Sequence, residues 1–247
     1  MEASRRRLAA AGVAVGVVIA AVAAWAWPGG TSDKPALGLF TSLPIYWSEN
    51  GSVSEALDGG GERHWVRTTL ENSSQLVPLD TLNGGEMSRI DDLLMAQPRP
   101  LAPAENVALD HWVREGGRLL LFADPFLTEK SRFALGDKRR PQDVVLLSPI
   151  LRRWGLELTF DEDQPQDERT IGYGSTELPV RLAGRLVAMA PGAPAACTIT
   201  AGQLVAECTI GTGSALVVAD AALLEADRSP DEARPALSAL MARAFKR

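Results

Sequence analysis

Apolar positions fall into one long block at the amino terminus, a series of short runs behind it, and a strand-rich tail. The block is Leu8–Trp27 (LAAAGVAVGVVIAAVAAWAW), 20 residues without a charge. As a helix it is about 30 Å long, the thickness of a bilayer's hydrocarbon core. No polar face marks it, which argues against a buried core helix. Arg5, Arg6 and Arg7 precede it, and the positive-inside rule keeps them in the cytoplasm. Trp25 and Trp27 then fall at the far interface. A cleaved signal peptide is the competing reading, because Ala24-Trp25-Ala26 fits the small-x-small pattern. The length of the run and the bulk of tryptophan favour a retained signal anchor over residues 1–27. Either way residues 28–247 cross the membrane. The expectation is a single-pass protein of the inner (cytoplasmic) membrane with its body in the periplasm.

Residues 28–35 (PGGTSDKP) read as a short flexible linker. Ala36–Thr41 then suits a buried first strand, residues 54–61 a short helix with a glycine loop, and Trp65–Leu70 a second strand. The clearest signal lies between Ile90 and Pro125. Ile90–Ala96 (IDDLLMA) reads as a strand, and Pro103 stands where a helix begins. Ala104, Ala108, Leu109, Trp112 and Val113 share one helical face, and Gly116-Gly117 supplies the stop. Arg118–Ala123 (RLLLFA) is a continuous apolar run, as in a central strand covered on both faces. Strand, helix and strand with a crossover of about 20 residues form a right-handed parallel unit. Ser148-Pro149 opens a second helix, followed by a strand at Leu156–Phe160. From Leu182 onward RLVAM, ACTIT, LVAECTI and SALVVAD are strand patterns. The expected fold is therefore α/β over residues 36–247. It has a mostly parallel, doubly wound sheet with a β-hairpin elaboration near the C-terminus, preceded by one transmembrane helix.

Composition narrows the function classes. The chain has 247 residues, 25 Lys+Arg against 31 Asp+Glu, and a net charge of −6. Residues 28–247 alone carry 22 basic and 30 acidic side chains, a net −8. Such an acidic body is a poor polyanion binder, so nucleic acid is not an expected partner. Two histidines exclude a His-rich metal centre, and no P-loop, GxSxG, GxGxxG or HExxH is present. No cofactor or metal is expected. The acidic run Asp161–Glu168 reads as a solvated loop, since it lacks the glycine turn and terminal Glu of an EF-hand. Lys138, Arg139 and Arg140 either face an anionic partner or are simply solvated. Asn50 and Asn72 begin short glycosylation-type triplets of a kind that arises by chance.

Cys197 and Cys208 flank CTITAGQLVAEC. A two-residue type II′ turn at Gly202-Gln203 pairs Ala201 with Leu204, which brings Cys197 opposite Cys208. Export supplies an oxidising compartment, so the expectation is a disulfide, with two free buried thiols as the alternative.

Ligands of open parallel sheets bind beyond the carboxyl ends of the strands. Those ends give Ser42, Gln97, Asp124 and Asp220 as candidate ligand-binding residues. Asp124 and Asp220 close strongly apolar strands and are expected neighbours on one rim. A carboxylate pair there can bind a hydroxylated ligand, hold a cation or do acid–base work. Capping of the next helix is the plain alternative.

The segments GGRLLLFADP (116–125) and GTGSALVVADAALL (211–224) resemble the periplasmic auxiliary domains of uncharacterised ABC-type transport systems, the group that includes gliding-motility accessory proteins. The resemblance implies a flavodoxin- or glutamine-amidotransferase-like sheet. It also implies a binding or accessory role beside separate permease and ATPase subunits. The amidotransferase catalytic Cys and His have no counterpart in this chain. The alternative is a cell-envelope hydrolase working through Asp124 and Asp220.

Overall fold

The computed structural model describes residues 34–47, 49, 63–190, 192 and 194–246. The expected anchor at 8–27, most of the linker, the helix and glycine loop at 54–61 and the Asn50 triplet lie outside them. Among the described residues no helix is long and apolar enough to cross a membrane.

The chain opens with β1 (Ala36–Thr41), α1 (Trp65–Ser73) and β2 (Gln75–Pro78). A short α2 (Gly84–Met87), β3 (Asp92–Ala96), α3 (Pro103–Arg114) and β4 (Arg118–Phe122) follow. After a long loop come α4 (Ser148–Arg153), β5 (Leu156–Thr159), β6 (Arg169–Tyr173), β7 (Thr176–Val180) and β8 (Arg185–Ala188). The chain then forms β9 (Ala196–Thr200), β10 (Val205–Ile210), β11 (Gly213–Val218) and α5 (Pro230–Ala244).

Seven strands make the central sheet in the order β2-β1-β3-β4-β11-β10-β9. The five from β2 to β11 are parallel, and β10 and β9 add an antiparallel edge. This is a mixed α/β fold with a mainly parallel sheet. The chain steps one way from β1 to β2 and the other way from β3 to β4, so right-handed crossovers send their helices to opposite faces. Accordingly α1 packs with α5, and α3 with α4. Buried on both faces, β3 and β4 are apolar without alternation, and Leu93, Leu94, Met95 and Leu119–Phe122 are sealed from solvent.

Several expectations are corrected. Trp65–Leu70 is a helix, and the second strand begins at Gln75. The segment WVRTTL is rich in strand formers, yet Trp65, Val66, Thr69 and Leu70 bury one helical face. Arg67 also bonds Glu71 one turn on (2.7 Å), and His64 Nδ1 accepts the Val66 N–H at the helix start. On α3 the buried face is Glu105, Leu109, Asp110 and Val113, with Ala104 exposed. Two carboxylates take inward places because each has partners. Glu105 binds Arg99 twice and the Leu82 and Ala102 N–H groups, and Asp110 binds Arg114, Arg153 and Trp154. Strand β5 stands outside the central sheet and pairs antiparallel with β8.

Cys197 and Cys208 are opposite one another on β9 and β10 and form a disulfide. The turn between these strands differs from the expected one. Gly202 (φ 61°) and Gln203 (φ 74°) are both left-handed, and Leu204 N–H closes on Ala201 C=O (3.1 Å). Turns of types I′ and II′ both join strands through two residues, so the register is the same for either.

The two sequence segments behind the family resemblance lie side by side, β4 on β11, from Arg118–Ser214 to Phe122–Val218. The turn before β11 presses on the end of α3, with Thr212 N–H and Oγ1 both bonded to Arg114 C=O (3.0 Å each). A Cβ on Gly213 would overlap the Val113 and Gly117 carbonyl oxygens, so this position accepts glycine alone.

Candidate functional site

The structure brings all four candidate residues to the carboxyl edge of the sheet. Ser42 follows β1 and Gln97 follows β3, while Asp124 and Asp220 stand two places beyond β4 and β11. These strands are adjacent in the order β1-β3-β4-β11, so the four residues form a row across the edge.

The row is laced by hydrogen bonds. Ser42 Oγ donates to Gln97 C=O (2.5 Å). Gln97 Nε2 donates to Asp124 C=O (3.0 Å), and Gln97 Oε1 accepts the Asp124 N–H (2.9 Å). Asp124 Oδ1 accepts from Phe126 N–H (2.8 Å) and Oδ2 from Ala221 N–H (3.1 Å). Asp220 Oδ1 caps the turn at Ala222 N–H (2.6 Å), and Oδ2 takes the Arg181 N–H (2.9 Å). Gln97 and Asp124 have no exposed surface, and Asp220 is 2% exposed.

The loop of residues 123–147 passes over the Ser42 and Gln97 end of this row. It crosses the β1/β3 edge and is pinned there at Gln142, whose N–H bonds Ser42 Oγ (2.9 Å) and whose C=O accepts from Gln97 Nε2 (2.8 Å). Glu49 holds it further out through Ser131 Oγ and the Arg132 N–H. At its base, Leu127 N–H bonds Asp143 C=O (2.9 Å) and Val145 N–H bonds Asp124 C=O (3.1 Å), pairing the two arms. Side chains therefore alternate: Leu127, Val145 and Leu147 point inward, and Phe126, Val144 and Leu146 are exposed. Phe126 stacks on Phe160 with centroids 5.6 Å apart. Leu135, near the tip, is 80% exposed.

The basic triplet is largely committed within this loop. Arg139 forks onto Asp137 and lies over the Phe133 ring, Arg132 lies over the same ring, and Arg140 forks onto Asp143. The acidic run is similarly engaged, with Asp161 on Arg185 and Glu168 on Arg181 and Arg228. Among the described residues no group of three His, Cys, Asp or Glu side chains is placed to hold a metal ion. Asn72 is exposed near the end of α1.

Electrostatics set this edge apart. Burial pushes the Asp124 carboxyl up to about 7 against the pull of its two N–H bonds, and the Glu225 charge adds to the rise. Burial raises Asp220 well above the carboxylate range, and Asp124 beside it raises it further. Glu129, half-buried and accepting the Ala226 N–H, rises to about 7, chiefly through loss of water around it. Glu225 itself is buried among Thr128 Oγ1, Arg181 and Arg228, and its C=O accepts the Trp65 indole N–H (3.0 Å). Sequence reading missed Gln142, Glu129 and Glu225. All three lie outside strand ends, and only the path of the long loop reveals their place.

No family model matches the chain, and no curated protein matches it. Solved structures do. The exo-beta-1,4-mannosidase Op5Man5 from Opitutaceae bacterium strain TAV5 superposes with a TM-score of 0.50 at 16% identity, over 84% of this chain and 36% of that one. The beta-galactosidase from Rahnella sp. R3 gives 0.48 at 11% identity, over 85% and 31%. A ThuA-like protein from Bacteroides uniformis ATCC 8492 gives 0.42 at 8% identity, over 89% and 94%. The chain thus spans about a third of the mannosidase, and at this identity the likeness is one of fold.

Proposed function

We propose that the protein is a membrane-anchored, extracytoplasmic binding domain, an auxiliary component of an ABC-type transport or envelope complex with no catalysis of its own. The observation that carries this reading is the state of the carboxyl edge. Gln97, Asp124 and Asp220 are buried, and their polar atoms engage the protein's own backbone. Such an edge presents a packed surface to a partner. A hydrolase built on Asp124 and Asp220 would need its substrate between two carboxyls that are 0% and 2% exposed.

Further support comes from the strand order β2-β1-β3-β4-β11, which has the flavodoxin sequence of steps and suits the amidotransferase-like sheet of the resembled family. Leu8–Trp27 behind three arginines supports a single span in the inner membrane, and the Cys197–Cys208 disulfide supports an oxidising compartment. The partner would meet the loops that leave this edge, where Phe126, Val144 and Leu146 face outward.

The test is co-purification of the tagged full chain from native membranes in mild detergent. An ATPase and a multi-span permease should accompany it, and Val144→Ser with Leu146→Ser should remove both while leaving the thermal melt unchanged. A chain that always purifies alone, or whose partners survive these substitutions, overturns the reading. A phosphatase fused after Arg247 should be active, and an inactive fusion reverses the proposed topology.

A further inference from the structure

Strand register places an acid pair inside the carboxyl edge. Phe122 is opposite Val218 on the parallel pair β4–β11, so two places on Asp124 stands opposite Asp220. The pairing persists past the strand ends, since Ala123 N–H bonds Val218 C=O (2.8 Å). Neighbouring strands are about 4.8 Å apart. Each of the four carboxyl oxygens accepts one backbone N–H, from Phe126, Ala221, Ala222 and Arg181. Among the described residues neither acid has an ion pair, because the nearby Arg181 and Arg228 guanidiniums are turned to Glu168 and Glu225.

Two negative charges on adjoining strands, shut away from water and bonded to no cation, repel strongly, with Arg228, already bound to Glu168, acting on Asp220 from a distance. One proton held between them removes the repulsion, and the pair then titrates as a unit. We propose that Asp124 and Asp220 share a proton that latches loop 123–147 onto the sheet, and that losing it in mildly alkaline solution frees the loop. The coupling is direct, because Asp124 is the loop's second residue. Its carboxyl binds the Phe126 N–H, and its C=O accepts from both Val145 N–H and Gln97 Nε2. A second charge on the pair pushes Asp124 away from Asp220 and strains the bonds at the loop's base.

The other charged groups around the pair define the controls. Glu225, after the turn that Asp220 caps, faces it with Arg181 from the end of β7 and Arg228 beyond. Glu129 lies on the loop itself, near Glu225, Asp227 and Glu49, and also titrates near neutrality. Burial raises both members of the pair, in keeping with a proton retained at neutral pH.

The test is amide hydrogen exchange of the full chain in detergent between pH 5.5 and 9, corrected for the intrinsic pH dependence of exchange. Protection of residues 125–147 should fall at least tenfold across this range while β1 and β3 stay unchanged. Asp220→Asn should remove that dependence, and Glu129→Gln should leave it in place. A pH-independent loop, a dependence retained in Asp220→Asn, or one abolished by Glu129→Gln overturns the proposal. If Asp220→Asn does not fold, Asp124→Asn takes its place. If neither folds, infrared spectroscopy of the Glu129→Gln variant, which lacks the other raised carboxyl of the loop, decides. A buried protonated carboxyl present at pH 6 and lost in step with loop protection upholds the latch, and its absence at pH 6 overturns it.

Discussion

Gln97 meets the main chain of Asp124 at both of its polar groups, accepting from the N–H (2.9 Å) and donating to the C=O (3.0 Å). A side-chain amide here imitates a strand and adds one rung to the β3–β4 ladder where the two chains diverge. To do so Gln97 adopts a left-handed backbone (φ 44°), a conformation that costs a non-glycine residue about 1 kcal/mol. The edge of the sheet and the loop over it are thus built as one piece.

Gln97→Ala should therefore lower stability by about 2–4 kcal/mol, because it strips partners from the buried Asp124 N–H and from the Gln142 C=O. Denaturant melts measure the loss, and proteolysis should cut first within residues 125–147. A variant as stable as wild type would show that these bonds are replaced by water at no cost.

Stability should also depend on pH through the acid pair. Asp124 is raised to about 7 when folded, whereas an unfolded aspartate titrates near 4. Between these values the folded state holds the extra proton, so stability is full below about pH 4 and declines as pH rises towards 7. The steepest slope is about 1.4 kcal/mol per pH unit for each proton held. Asp220→Asn should flatten this slope in pH-dependent urea melts.

His64 should act with the opposite sign. Burial lowers its imidazole to about 4, and its Nδ1 accepts the Val66 N–H only when unprotonated. Unfolded histidine titrates near 6.5, so this contribution is full above pH 6.5 and is lost as pH falls towards 4. Replacing it with Asn, which keeps an acceptor at the helix start, should remove this contribution, so that stability falls more steeply as pH rises from 4 to 6.5. No change in slope would mean that His64 titrates as it does in the unfolded chain.

The Cys197–Cys208 bridge closes a short loop, with a sequence separation of 11. Removing it by the Cys197→Ser and Cys208→Ser pair should cost about 2–3 kcal/mol. Thiol labelling of the unreduced, unfolded wild type should find no free cysteine, and the register of β9 and β10 should survive in the variant.

The parallel core was legible because strands buried on both faces leave continuous runs such as Leu119–Phe122, bracketed by Pro103 and Gly116-Gly117. The Cys197–Cys208 pairing was legible because a two-residue turn sets the register whatever its type. Helix α1 was hidden by the strand-forming content of Trp65–Leu70, which tertiary packing overrides. Hairpin β6–β7 was missed because Gly172 and Pro179 blur its alternation, and α5 because Pro235 interrupts an otherwise well-started helix. At the site, topology gave the row of Ser42, Gln97, Asp124 and Asp220. The cover over Ser42 and Gln97 was not legible, because it depends on Gln142 returning to the edge from 45 residues beyond Gln97.

The pairing of β4 with β11 has a consequence for biosynthesis. Arg118 must wait for Ser214, 96 positions later, before the middle of the sheet can close. Such distant contacts slow folding, since a long chain must be gathered before any of them forms. A chain still emerging from the ribosome therefore has β4 bare along one side. Strand order itself thus acts as a timer, since the middle of the sheet can be completed only once the final third of the chain has been made.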